Sequence, residues 1–193
     1  MNIALVIPAY RQSCHIETAR VWAQDALTAV SLGWRPFMFW TDCNSIEVAR
    51  NTIVREAERA ECRLLLMCDA DTAPVPLEGG LRSMWNVMVE TGAAVTGAAV
   101  PIRNGSSMNC EPAKPGEAYP GEVGTGYMLI DMLKLRNVPK PWFRCVLSED
   151  GTSKALGSDI GFCRLVREHG HIVTVNYRLA MAHVEQAAVA TRP

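Results

Sequence analysis

Two carboxylates separated by one alanine, Asp69-Ala70-Asp71, follow directly on the aliphatic run Leu64-Leu65-Leu66-Met67-Cys68. Such a run reads as a buried strand, so both acids stand at its carboxyl end and can face one concave region. Paired carboxylate oxygens suit a hard divalent cation, manganese or magnesium. That cation serves reactions in which negative charge builds on a diphosphate leaving group. Acidic residues also end strands because they bond to nearby backbone, so the motif alone leaves both readings open.

Four further stretches carry groups of interest. In Glu47-Val48-Ala49-Arg50-Asn51, Arg50 can offer a guanidinium fork to a phosphate, base or carboxylate and Asn51 an amide, or Arg50 can belong to a solvated helix face. Gly124-Thr125-Gly126 lets backbone approach a ligand closely, or is an ordinary tight turn. Asp159, in Gly157-Ser158-Asp159-Ile160-Gly161-Phe162-Cys163, suits the first turn of a helix by the helix dipole and equally suits a base that accepts a hydroxyl proton. His183 lies in the apolar Ala180-Met181-Ala182-His183-Val184. It is either a buried, hydrogen-bonded histidine or the third member of an Asp, Asp, His set. His15, His169 and His171 have no comparable surroundings.

The elements that must position these groups alternate. Ile3 to Ile7 reads as a strand ending at Pro8, Ile16 to Ser31 as a helix, Arg35 to Trp40 as a strand, and Ile46 to about Ala60 as a helix capped by Ser45. Arg63 to Cys68 is the most apolar strand, followed by a helix around Leu77 to Glu90 and a strand around Ala93 to Ala98. Pro101 to Val123, rich in Gly, Pro, Asn and Ser, reads as a long working loop. Gly126 to Asp131 is a strand, Ser158 to His169 a helix capped by Ser158, and His171 to Asn176 a last strand. This rhythm predicts an α/β fold with a parallel or mixed sheet covered on both faces, its ligands beyond the carboxyl ends of the strands.

The bulk composition narrows the classes. With 193 residues and 49% hydrophobic content, one domain over residues 1–193 is expected. A net charge of -1 marks no dedicated nucleic-acid or membrane-surface binder. No apolar run is long enough for a transmembrane segment, and Met1 to Tyr10 lacks a basic leader and is broken by Pro8. Seven cysteines, odd in number and several within apolar runs, point to a reducing cytoplasm, and the absence of a CxxC pair argues against a structural zinc site.

Taken in order, the apolar first strand ending in Pro8, Ala49-Arg50-Asn51, the strand with Asp69-Ala70-Asp71, Gly124-Thr125-Gly126, Gly157 to Cys163 and His183 resemble the GT-A glycosyltransferases of the broad inverting family, including small stand-alone members. The resemblance spans nearly the whole chain. It implies a GT-A, Rossmann-like fold with a mixed, mainly parallel sheet flanked by helices, a manganese or magnesium cofactor, and a nucleotide-sugar donor, UDP-sugar before GDP-sugar. Asp69 then looks like the nucleotide-facing first acid and Asp71 like the direct metal ligand, with His183 as a further ligand. Asp159 matches the second acid of a Glu-Asp pair, the catalytic base, while Ser158 stands where that Glu would be. Arg50 matches an arginine near the donor, and Pro8, Ala9 and Tyr10 match the loop bordering the nucleotide base.

Two rivals share some of these features. A sugar nucleotidyltransferase has the same architecture and acids, but it would carry a glycine-rich loop after the first strand, where Ala9-Tyr10-Arg11-Gln12-Ser13 has none. A non-catalytic sugar-nucleotide or glycan-binding module fits Ser158 in place of Glu. The acceptor is open among glycan, protein, small molecule and modified DNA base, with Trp142 and Phe143 as candidate stacking surfaces.

Overall fold

The computed structural model describes residues 1–9, 14–42, 45–102, 108–110 and 116–184. Its elements run β1 Asn2–Ala9, α1 Ile16–Ser31, β2 Arg35–Asp42, α2 Ile46–Arg59, β3 Leu64–Cys68, β4 Thr72–Pro74, α3 Gly80–Thr91, β5 Val95–Ala98, β6 Ala118–Pro120, β7 Tyr127–Asp131, β8 Val146–Leu147, β9 Lys154–Leu156, α4 Ser158–Glu168, β10 Val173–Asn176 and β11 Met181–His183.

The continuous apolar runs are strands buried on both sides. In β3, Leu64, Leu66 and Cys68 join a core with Val21 of α1 and Leu81, Met84 and Met88 of α3. Leu65 and Met67 point the other way, into a core with Ile53 and Val54 of α2 and Phe162 and Val166 of α4. The two-residue period of a strand thus feeds two helix layers from one unbroken aliphatic run.

The main sheet has seven strands in the order β2-β1-β3-β7-β5-β10-β6. β1 is parallel to β2 and β3, and β10 to β5, while β7 opposes both its neighbours and β6 opposes β10. This is a mixed, mainly parallel α/β sheet, a GT-A-like, Rossmann-like arrangement. The chain leaves β1 for β2 on one side and returns to β3 on the other, so the strand order reverses beside β1. The carboxyl ends of β1 and β3 flank that switch point, where ligands of such sheets collect.

Pro8 does not end its strand as the sequence suggested. Pairing with β2 continues through Pro8 and Ala9, whereas pairing with β3 stops at Val6. Arg35 N bonds to Met1 O and Arg63 N to Asn2 O, so even-numbered positions of β1 address β3. The N–H that Pro8 lacks would point where β3 has already turned away, which is why proline is tolerated there.

Other boundaries differ for equally local reasons. α3 starts at Gly80 rather than Leu77, and the stretch 101–123 contains β6 and two isolated bridges, Pro101 with Met108 and Cys110 with Val123. The strands β8 and β9, and the ribbon of β4 with β11, are too short for periodicity to reveal. Ser45 occupies the cap position of α2 but its hydroxyl bonds the Glu47 carboxylate instead of a helix amide, and α4 is capped at Gly157, with Ser158 already helical. Tyr10, the stretch 11–13, parts of the 101–123 loop and the chain after 184 lie outside the described residues.

Candidate functional site

The loop after β3 is held by its backbone from three directions. Asp69 N–H donates to Gly126 O at 2.9 Å, His15 N–H at the head of α1 donates to Ala70 O at 2.8 Å, and Val184 N–H after β11 donates to Asp71 O at 2.7 Å. Thr72 closes the turn, its hydroxyl lying 2.6 Å from Gly126 O and 3.2 Å from Asp69 O. Two carboxylates are therefore presented on a fixed turn, as a binding site requires. His15, with no sequence context to single it out, anchors this turn through its main chain. Its ring Nδ1 accepts from Glu17 N and caps α1, a role histidine seldom signals in sequence.

Gly124 and Gly126 serve the protein's own packing. A Cβ on Gly124 would lie 2.7 Å from the Asn109 amide and one on Gly126 2.9 Å from Val100, both closer than side chains tolerate. The glycine pair admits neighbouring side chains and lets Gly126 O reach the Asp69 turn.

Arg50 is not on a solvated face: it is 6% exposed, on the buried side of α2. Its Nη2 lies 3.6 Å from Asp69 Oδ1 and its Nη1 donates to Ser158 Oγ at 3.3 Å, with the guanidinium 5.8 Å from the Phe143 ring centroid. Asn51 is committed elsewhere, donating to Phe143 O at 2.7 Å and accepting from Phe143 N at 3.1 Å. It clamps a loop and does not offer its amide to a ligand.

Asp69 is partly exposed, but its Oδ1 is shut off from solvent without a hydrogen bond. Burial raises its carboxyl above the ordinary 3.8; the Arg50 charge pulls it back down, and the charges of Asp71 and Asp159 push it up again. Arg50 reaches both Asp69 and Ser158, the neighbour of Asp159, so the first turn of α4 lies near the turn that carries Asp69 and Asp71. Asp159 is half-buried in the first turn of α4, its Oδ1 accepting from Ile160 N at 2.9 Å.

His183 lies on β11, directly opposite Thr72 of β4, and this pairing carries it to Asp71. Its Nδ1 is 2.5 Å from Pro101 O. A carbonyl can only accept, so Nδ1 carries a proton, and in the neutral form of the ring the lone pair is the one on Nε2. That Nε2 is 3.8 Å from Asp71 Oδ1. Among the described residues no three His, Cys, Asp or Glu side chains are gathered into a ready metal site, so Asp69, Asp71 and His183 do not form a closed protein cage. The proton arrangement of His183 and the pairing with a carboxylate are what an open, partly protein-built cation site needs.

Trp142 and Phe143 are not surface platforms. Each is 1% exposed, and their rings pack on Phe162 at centroid distances of 5.6 and 4.6 Å. They fill the core between the loop and α4, where their apolar area is worth more than at a wet surface.

No family model matches the sequence, and no curated protein matches it significantly. Similarity appears in three dimensions. The crystal structure of A197 from STIV superposes with a TM-score of 0.68 at 16% identity, over 96% of this chain and 87% of that one. The crystal structure of GalNAc-T7 with UDP, GalNAc and Mn2+ superposes with a TM-score of 0.54 at 10% identity, over 100% of this chain and 45% of that one. The chain therefore spans less than half the length of GalNAc-T7. At such identities the likeness shows the fold, a GT-A-like fold whose neighbours include a glycosyltransferase. Among the described residues no helix is long and apolar enough to cross a membrane.

Proposed function

We propose that residues 1–193 form one catalytic domain, a metal-dependent glycosyltransferase that moves a sugar from a nucleotide-diphosphate donor, UDP-sugar before GDP-sugar, to a hydroxyl acceptor with inversion. The observation that carries this reading is that Asp69 and Asp71 end β3 beside the switch point of a GT-A-like sheet, with His183 next to Asp71 and with Asp159 adjoining Ser158 on the Arg50 fork that also reaches Asp69. The neighbour holding UDP and Mn2+ supports the donor class and the metal.

Asp71 and His183 would hold the cation, with Asp69 toward the nucleotide, and donor oxygens would complete the coordination. When bound, manganese or magnesium would offset the charge that develops on the diphosphate. His183 would contribute the Nε2 lone pair of its neutral ring, because Nδ1 is the nitrogen that donates to the Pro101 carbonyl. Pro8 and Ala9 extend β1 past its pairing with β3 and, with Tyr10, would border the base. Asp159 would take the proton from the acceptor hydroxyl as the new glycosidic bond forms and the bond to the diphosphate breaks. A cytoplasmic location is part of this reading, supported by Cys62, Cys68 and Cys163 serving as buried thiols of the apolar core.

A thermal-shift screen of nucleotides and nucleotide sugars, with and without Mn2+, tests the reading. UDP with Mn2+ should raise the melting temperature by more than the sum of their separate effects. Additive or absent shifts with every nucleotide would contradict it, and stabilisation by a donor that is never turned over would favour a non-catalytic binding module.

A further inference from the structure

We propose that Arg50 is a positioning residue, a buried strut that ties the acid at the end of β3 to the start of α4 and acts through Asp69 and Ser158. The inference rests on the glycosyltransferase reading. Arg50 stands on the inner side of α2, and its fork spans two partners from different parts of the chain: Asp69 Oδ1 at 3.6 Å from Nη2 and Ser158 Oγ at 3.3 Å from Nη1. Ser158 is the residue next to Asp159, so one guanidinium addresses both acid-bearing elements.

The surroundings hold that fork in place. Asn51, the next residue on α2, makes a two-way clamp with the Phe143 backbone, Phe143 lies beneath the guanidinium, and the same ring packs on Phe162 of α4. α2, the Phe143 loop and α4 are thereby locked around Arg50. A buried guanidinium is costly unless its charge is answered, and Asp69 answers it. Arg50 Nε and Asp69 Oδ1 are each buried without a hydrogen bond, so the link depends on charge attraction across the fork rather than on a close bidentate pair. Its geometry therefore responds to whatever moves either end. Lysine would not reproduce it, since a compact ammonium lacks the planar fork that directs Nη1 and Nη2 to separate partners.

The two arms can be cut separately. Arg50→Lys should raise the KM for a UDP-sugar and lower kcat by roughly 10- to 100-fold, because both acids lose their reference point. Ser158→Ala cuts the α4 arm alone and should lower kcat while leaving UDP–Mn2+ affinity, measured by calorimetry, at the wild-type value. A merely structural role would lower melting temperatures and leave kcat and KM unchanged below them. Wild-type kcat and KM in Arg50→Lys, or wild-type kcat in Ser158→Ala, would overturn the proposal. A thermal double-mutant cycle of Arg50→Met with Asp69→Asn reads the strut without activity: coupled effects support it and additive effects overturn it. If the wild-type protein neither binds UDP–Mn2+ nor releases UDP from any UDP-sugar, the glycosyltransferase reading fails, whatever that cycle gives.

Discussion

His183 Nε2 lies 3.8 Å from Asp71 Oδ1 because β11 pairs antiparallel with β4, setting His183 opposite Thr72. A ribbon of two short strands thus does what no local sequence pattern announces, bringing the end of the described chain to the turn after β3. Asp71→Ala should remove the synergy between UDP and Mn2+ in thermal shift while changing the melting temperature of the unliganded protein little. A large loss of intrinsic stability with the synergy intact would make Asp71 a structural residue.

Asp159→Asn should lower transfer by at least ~100-fold with donor affinity nearly unchanged, the usual signature of a lost general base. Asparagine can still accept from Ile160 N, so the stability cost should stay near a helix-dipole contribution of about 0.3–1 kcal/mol. Parallel loss of donor binding would place Asp159 in the donor site, and near-full turnover would mean that the base lies elsewhere.

Asp25 predicts a pH dependence of stability unrelated to catalysis. It is buried between α1 and α3, with Leu81 N donating to Oδ1 at 3.2 Å and the Tyr127 hydroxyl donating to Oδ2 at 2.7 Å. Burial outweighs these bonds and raises its carboxyl from 3.8 to about 7. Between those values the folded protein keeps a proton that the unfolded chain has released, so the Asp25 contribution to stability falls as pH rises from about 4 to about 7. In Asp25→Asn this part of the slope should vanish in melting curves taken across that range, and an unchanged slope would refute the assignment. Tyr127→Phe, which leaves Oδ2 without its donor, should cost about 1–3 kcal/mol.

Trp142→Ala should cost about 3–5 kcal/mol in denaturant unfolding, since the ring is buried on Phe162 and its Nε1 donates to Val138 O at 3.1 Å. Loss of acceptor use without loss of stability would restore the surface role that the sequence suggested for it.

Where one physical signal decided an element, the sequence was a sufficient guide. The 16-residue α1 was legible to both ends from its spacing, and β3 from its aliphatic run. Asp69, Asp71, Asp159 and His183 were legible as types in order. The placement of His183 beside Asp71 was not, because it depends on β4 and β11, each three residues long and without measurable periodicity. The solvated face offered for Arg50 was wrong, since burial of a charge is decided by distant partners, here Asp69 and Ser158. Trp142 and Phe143 misled for the converse reason: a Pro-rich neighbourhood looks like surface, yet α4 brings Phe162 over both rings.

The measurement that bears most directly on the central claim is release of nucleoside diphosphate from a panel of UDP- and GDP-sugars by the full chain, with Mn2+ and with the metal chelated. The account predicts slow release from at least one donor, UDP-sugars first, dependent on metal and abolished in Asp71→Ala and His183→Ala. Release that persists under chelation or in both variants, or no release from any donor with Mn2+ present, would contradict it.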